Sequence, residues 1–380
     1  MTMDVYLDNA STTQVSPEVF EAMKPFFIKD FGNPSSLHDK GIRVRKILNT
    51  SRKTVASLLG CSHTEVFFTS CGTEATNWAL KGLAFANHTK GEIITTKIEH
   101  HATLHACEFL ETLGFIVHYL DVDDQGFVDL LQLQQIISDN TLVVSIVLAN
   151  NEIGTIQNIQ AISTICQQHS TYLHVDAVQA VTHMPLNLSE LQVDLMSVSG
   201  HKFHAPKGIG LLYIKEGTKI VNLIHGGQQE NNLRSGTENV PYIIGFTTAL
   251  QHGIDKYKDY QERLNHYATY FLQRLDDANI NYRLNGPPIG PSRLSGNLNI
   301  SFHGYEASDI TFYLNKAGIY VSTGSACDST SIEPSHVLQA IRVPLKYING
   351  SIRFSIGEYT TKEELEYTIS TLLQILSELQ

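Results

Sequence analysis

The sequence predicts an α/β fold: a mostly parallel sheet with helices on both faces, followed by a smaller α+β domain. Three observations predict it. From about residue 17 to 220, helical and strand patterns alternate, which is the order that builds parallel sheets with crossover helices. Leu142-Val143-Val144-Ser145-Ile146-Val147-Leu148 is a near-continuous apolar run, as expected of a strand buried on both faces. After about residue 250 the pattern changes to a long charged helix, a loop rich in breakers, and further strands.

Each element has its own signal. The first ten residues look extended and turn at Asn9-Ala10-Ser11-Thr12-Thr13. Helical spacing over 43–59 stops at Gly60, a common helix terminator. A short strand is expected at 66–68, a helix at 73–86 and a strand at 92–96. A helix over 101–113 closes at Gly114 and leads into a strand at 115–119. The buried strand 142–148 follows, then a helix at 159–168 and a strand at 172–175. Another strand-like stretch begins at Val193 and ends in Ser199-Gly200-His201-Lys202. Beyond it come an amphipathic helix over 256–278 and the breaker loop Asn285-Gly286-Pro287-Pro288-Ile289-Gly290-Pro291. Strand 298–302, helix 307–317, strand 319–321 and strand 351–355 follow. The last helix, 362–379, carries Leu365, Ile369, Leu372, Leu373, Leu376 and Leu379 on one stripe, which reads as core packing. The expected domains are 14–255 and 256–380, with residues 1–13 packing against the smaller one.

Composition narrows the function classes. The chain has 380 residues, 42% hydrophobic and 17% charged, with a formal net charge of -11. That balance provides no general attraction to nucleic acid or anionic membrane. No apolar run approaches the roughly 20 residues of a membrane span. The start lacks a basic region followed by an apolar stretch, so a secretion signal is not expected. Five cysteines, odd in number and without a C-x-x-C pair, fit free thiols in a reducing cytoplasm. The 17 histidines show no zinc spacing, and no metal site is expected.

The chemistry-bearing residues follow strands. Lys202 ends one strand-like stretch, and Asp176 ends another, Tyr172-Leu173-His174-Val175. A lysine that can form a Schiff base, preceded by an acid at a strand end, points to pyridoxal phosphate. The lysine holds the aldehyde, and the acid keeps the pyridine nitrogen protonated. Ser70-Cys71-Gly72-Thr73-Glu74 lies between a strand and a helix. Small residues there let backbone N–H groups approach a phosphate at the helix N-terminus, although capping alone also explains them. Gln179 lies one turn beyond Asp176. Asn150-Asn151-Glu152-Ile153-Gly154 and Glu99-His100-His101 each follow a strand. Asn151 can hydrogen-bond a ring oxygen or a carboxylate, and the His100 imidazole can lie over a ring and shuttle protons. Helix capping accounts for each cluster taken alone. In a parallel sheet these strand ends share one edge, where ligands bind. Far downstream, Cys327 sits in the small, polar run Ser322-Thr323-Gly324-Ser325-Ala326-Cys327-Asp328-Ser329-Thr330. It reads as an exposed candidate nucleophile or as an incidental loop cysteine.

Taken together, these segments resemble the cysteine desulfurases of the NifS/IscS type, within the fold-type I pyridoxal phosphate transferases. The resemblance runs from Tyr6-Leu7-Asp8-Asn9-Ala10-Ser11-Thr12-Thr13 through Gly32-Asn33-Pro34-Ser35-Ser36, Glu99-His100, Asn150-Asn151-Glu152-Ile153-Gly154 and His174-Val175-Asp176-Ala177-Val178-Gln179. It continues through Ser199-Gly200-His201-Lys202, Arg234-Ser235-Gly236-Thr237-Glu238-Asn239, Gly324-Ser325-Ala326-Cys327 and Ser351-Ile352-Arg353-Phe354-Ser355. Gly-Ser-Ala-Cys followed by Glu333-Pro334-Ser335 looks like the subgroup with a long cysteine loop. Gly72 departs from the alanine common in relatives.

The resemblance implies roles. Lys202 forms the Schiff base and moves the Cα proton, Asp176 pairs with the pyridinium nitrogen, and Gln179 contacts the phenolic oxygen. His100 stacks on the ring and serves the substrate thiol. Gly72, Thr73, Ser199 and His201 hold the phosphate, with Thr237 completing that site from the neighbouring subunit of a homodimer. Asn151 and Arg353 bind the carboxylate of L-cysteine; the planar fork of arginine suits that task. Cys327 takes the sulfur as a persulfide and passes it to an acceptor protein. The expected acceptor is an iron–sulfur scaffold or, since the chain stops soon after its last helix, a tRNA-thiolating enzyme. Rival readings are a selenocysteine lyase, a small-amino-acid aminotransferase, and a non-catalytic sulfur carrier.

Overall fold

The structure is a computed structural model that describes residues 3–87, 91–323 and 334–379. Its strands, in chain order, are β1 (Val5–Tyr6), β2 (Val66–Thr69), β3 (Glu92–Thr96), β4 (Ile116–Leu120), β5 (Thr141–Val147) and β6 (Tyr172–Asp176). There follow β7 (Leu195–Ser199), β8 (Gly210–Ile214), β9 (Tyr282–Leu284), β10 (Asn297–Phe302), β11 (Ile319–Tyr320) and β12 (Ser351–Ser355). Seven strands form the main sheet in the order β2-β8-β7-β6-β5-β3-β4. Pairs β3–β4, β3–β5, β5–β6 and β6–β7 are parallel. Only β8 runs against its neighbours β2 and β7. With β8 antiparallel to both, β2 and β7 point the same way, so their C-terminal ends share one edge.

The main sheet is covered on both faces. Val143 of β5 packs in one core with Phe67, Trp78, Leu80 and Leu110. Its neighbours Val144 and Ile146 face the opposite core with Val55, Leu59 and Phe246. Alternate residues of a strand point to opposite faces, so only a continuous apolar run such as β5 satisfies both cores. Each fully buried Val or Leu contributes roughly 1.5–3 kcal/mol. The helix Asp39–Leu59 stops at Gly60, whose φ of 73° places it in the left-handed region. Glycine adopts that conformation without a Cβ clash.

A third cluster contains Leu264, Phe271, Leu298, Phe302, Phe354, Leu365 and Leu372. The strands β9, β10 and β12 form its antiparallel sheet in the order β12-β10-β9. Val5 and Leu7 belong to this same cluster, and β1 pairs with β11. We propose that these cores correspond to a large domain, 14–255, and a small one, 256–380, with residues 1–13 attached to the latter.

Four elements in particular differ from expectation. The long helix begins at Val240 rather than 256 and runs to Asp277. Asn239 caps it and Pro241 sits in its first turn; proline is tolerated there because that N–H has no helical partner. Its first half packs on the main core through Ile243, Phe246 and Leu250. Strands β8 and β9 and the helix Leu130–Ile136 had no distinct sequence signal. Among the described residues, no helix is long and apolar enough to cross a membrane, and no three His, Cys, Asp or Glu are grouped to hold a metal ion.

Candidate active site

Five strand ends supply the site. Beyond β2 lies the Ser70-Cys71-Gly72 turn; beyond β3 lie Glu99 and His100; beyond β5 lies Asn151. Asp176 is the last residue of β6, and Ser199 the last of β7, followed by His201 and Lys202. The side chains surround a cavity of about 410 Å³ lined by Gly72, Thr73, His100, Asn151, Asp176, Gln179, Ser199, His201, Lys202 and Arg353. That volume suits a small cofactor with its substrate. Thr237 lies on an exposed stretch outside this cavity. Cys327 falls outside the described residues.

The N-terminal loop closes one wall. Lys202 Nζ donates to the carbonyl oxygens of Ala10 at 2.7 Å and Ser11 at 2.8 Å. Gln179 Nε2 donates to the same Ala10 oxygen at 2.8 Å. His201 contacts Thr12 Oγ1 through Nδ1 at 3.1 Å. Arg353 reaches in from β12 and is 1% exposed. Its Nη2 donates to Asp8 Oδ1 at 2.8 Å and Ser11 Oγ at 2.6 Å, and its Nη1 to the Asn151 carbonyl at 3.2 Å. Its Nε has no partner among the described residues.

Burial sets the protonation states. Asp176 is pushed up to about 6 by desolvation, against the hydrogen bond from Val178 N and the charge of Lys202. At neutral pH it remains mostly an anion, and a cation against it would hold it there. His100 is pushed down to about 4 by burial and then by Lys202, so its imidazole is neutral. Its Nδ1 accepts from Ala102 N at 3.1 Å, which leaves the ring proton on Nε2. Burial and the Lys202 charge also lower His201, to about 4.

The Cys71–Gly72 turn of the cavity could hold a phosphate. Cys71 caps the 15-residue helix Gly72–Ala86, whose N-terminus favours an anion. A Cβ on Gly72 would stand 2.8 Å from Val178 Cγ2 and 3.2 Å from Ser199 Cβ, so the lack of a side chain keeps this cradle open. Thr76, one turn further along, lines the cavity with a buried hydroxyl that has no partner among the described residues. Pyridoxal phosphate fits this donor set: a phosphate cradle, a lysine amine and a buried carboxylate stand in one cavity.

The lining residues not named as site residues from the sequence include Thr76, Glu99, Glu152 and His336. Thr76 follows Gly72 by four residues, a spacing that signals the same helix face. Glu99 and Glu152 sit inside motifs already singled out, where histidine and asparagine drew the attention. His336 arrives from the far side of the chain, where its Nε2 meets the Glu99 carbonyl at 3.0 Å. Nearby, Ser335 Oγ donates to Glu152 Oε2 at 2.5 Å.

A buried carboxylate, a strand-end lysine and a helix N-terminus around one cavity define a pyridoxal phosphate enzyme. The family profile for aminotransferase class-V matches residues 5–368. The chain is 50% identical over 381 residues to the cysteine desulfurase IscS of Dictyoglomus turgidum, covering all of this chain and 96% of that one. It is 44% identical over 379 residues to the cysteine desulfurase IscS of Clostridium botulinum, covering 100% and 96%. Among solved structures, a NifS-like protein superposes with a TM-score of 0.93 at 39% identity, covering 99% of this chain and 100% of the other. The chain belongs to the aminotransferase class-V family and, within it, to the pyridoxal phosphate-dependent cysteine desulfurases of the IscS/NifS type.

Proposed function

We propose that the protein converts L-cysteine to L-alanine and keeps the sulfur as a persulfide on Cys327 for delivery to an acceptor protein. The observation that carries this reading is the convergence of Lys202, Asp176, the Gly72 cradle and Arg353 on one cavity. When bound, pyridoxal phosphate supplies an aldehyde for an amine and an electron sink for a Cα carbanion.

The chain's residues do the rest. Lys202 would hold the cofactor through its amine and, when that amine is free, would take the Cα proton on Nζ. Asp176 keeps a proton on the pyridine nitrogen, and Gln179 contacts the phenolic oxygen. Gly72, Thr73, Ser199 and His201 grip the phosphate, completed by the partner subunit's Thr237 in a homodimer. Asn151 and Arg353 orient the substrate carboxylate. The neutral imidazole of His100 stacks on the ring and exchanges a proton with the substrate thiol through Nε2. The Cys327 thiolate attacks the substrate sulfur: the S–S bond forms, the Cβ–S bond breaks, and its electron pair passes to the alanine fragment, which takes up a proton. An acceptor thiol then removes the sulfur by exchange. We place this in the cytoplasm, in keeping with the free thiols at Cys61, Cys71, Cys107 and Cys166. The acceptor is a tRNA thiolase or an iron–sulfur scaffold.

Whole-protein mass spectrometry after addition of L-cysteine tests the reading. The cofactor-loaded protein gains one sulfur and releases alanine. Cys327→Ala keeps the yellow colour and loses the gain; Lys202→Ala loses the colour. Full desulfuration by Cys327→Ala, or release of a keto acid in place of alanine, refutes it.

A further inference from the structure

We propose that Glu99 is held as the neutral acid and acts as a positioning residue, leaving Asp176 as the ionised carboxyl of the two that flank β5. The inference rests on the cofactor role proposed above for Asp176. Glu99 is 0% exposed and lines the cavity. Its Oε1 accepts twice, from Thr96 Oγ1 at 2.6 Å and from Val147 N at 2.9 Å. Its Oε2 is buried and has no partner among the described residues. A carboxylate spreads its charge over both oxygens, and burying one of them unpaired carries a heavy desolvation cost. A proton on Oε2 removes that charge while Oε1 keeps its two donors.

The neighbours give the neutral state a purpose. Val147, whose N–H Glu99 receives, is the register partner of Asp176 across β5 and β6. Two buried carboxyls thus stand at the ends of β3 and β6, on either side of β5, and like charges so placed do not both ionise readily. The other ionisable groups around Glu99 are His100 and His101 on its own segment, Cys107 on the following helix, Glu152 beyond β5, Lys202 beyond β7, and His336. Lys202 is the cation among them that faces Asp176, and its amine is held on the Ala10 and Ser11 carbonyls. Burial, with the Asp176 charge adding to it, pushes Glu99 up to about 8. An anionic Glu99 would add a second negative charge near Asp176 and disfavour its ionisation. A neutral one leaves Asp176 free to stay the anion that the pyridine nitrogen needs.

Infrared spectroscopy of the apoprotein tests the proposal without catalysis. At pH 7 the wild type shows the C=O stretch of a protonated carboxyl that Glu99→Gln lacks. The band fades as pH rises, with a midpoint near 8. In Asp176→Asn the midpoint falls, because the neighbouring negative charge is gone; this comparison holds even where Glu99→Gln fails to fold. In the holoenzyme, Glu99→Gln removes any change in the cofactor's visible spectrum with that midpoint. Absence of the wild-type band at pH 7, or its full survival in Glu99→Gln because Glu152 carries the proton, overturns the proposal and leaves the desulfurase reading intact. A Glu99 band in a protein that binds no pyridoxal phosphate overturns the desulfurase reading and, with it, the role of Glu99.

Discussion

Replacing Arg353 by lysine keeps a positive charge but removes the planar fork. A guanidinium has five N–H donors, and Arg353 commits three contacts, to Asp8, Ser11 and Asn151. The buried Nε–H is left without a partner among the described residues, and Arg353 lines the cavity. A lysine ammonium has three donors on one atom and cannot hold Asp8 and Ser11 while reaching the substrate. Hydrogen bonds to charged groups are worth about 1.5–3 kcal/mol each. Losing one or two of them costs about 2–4 kcal/mol, which is roughly 30- to 1000-fold in kcat/KM. The assay is steady-state alanine release from L-cysteine, with cofactor absorbance as the control. The loss should fall mainly on KM, because the contact is made before the chemical step as well as during it. Cysteamine, which lacks the carboxylate, should inhibit wild type and Arg353→Lys with equal Ki. A kcat/KM within about threefold of wild type, or an equal weakening of cysteamine, would show that Arg353 does not bind the substrate carboxylate.

Two further perturbations follow from the packing. His174 lies fully buried between Ser145 Oγ at 2.8 Å and Ser197 Oγ at 2.9 Å, and burial pushes it down to about 3. Its folded pKa is below the unfolded value, so the unfolded chain binds the extra proton: stability is full above about pH 6.5 and falls as pH drops toward 3. The drop from 6.5 to about 3 corresponds to roughly 4–5 kcal/mol at full protonation; denaturant midpoints should fall less steeply with acid in His174→Asn, and an unchanged slope would count against this account. Gly210 lies under the Cys71–Gly72 turn, where a Cβ would stand 2.6 Å from the Cys71 carbonyl carbon and 2.8 Å from Val198 O. Backbone cannot give way as a side chain can, so Gly210→Ala should cost about 1–3 kcal/mol, read as a lower Tm and weaker pyridoxal phosphate binding; a variant matching wild type in both would mean the turn is not held from below.

Much of the site was legible because its chemistry follows strands. The apolar runs of β5, β6 and β7 mark their own ends, and the polar residues just beyond them, Asn151, Asp176 and Lys202, had to emerge at one edge if the sheet was parallel. The short β8 carried no such mark, since Gly210-Leu211-Leu212-Tyr213-Ile214 lacks alternation and every residue is buried. Its antiparallel placement still leaves β2 and β7 pointing the same way, so the phosphate turn and Lys202 remained neighbours. Glu99 was seen only as a companion of His100. Its importance comes from an oxygen left without a donor, which residue type and spacing do not encode.

By itself the sequence determined most of the element types, the cofactor chemistry and the family, because periodicity, capping and strand-end residues are local properties. The tertiary structure alone decided which distant groups meet. Arg353 and Asp8 are separated by 345 positions yet lie 2.8 Å apart, and Lys202 rests on carbonyls from residues 10 and 11. Backbone oxygens have no side-chain identity to read in a sequence. The charge state of a buried group such as Glu99 depends on how much water and how many donors packing leaves around it.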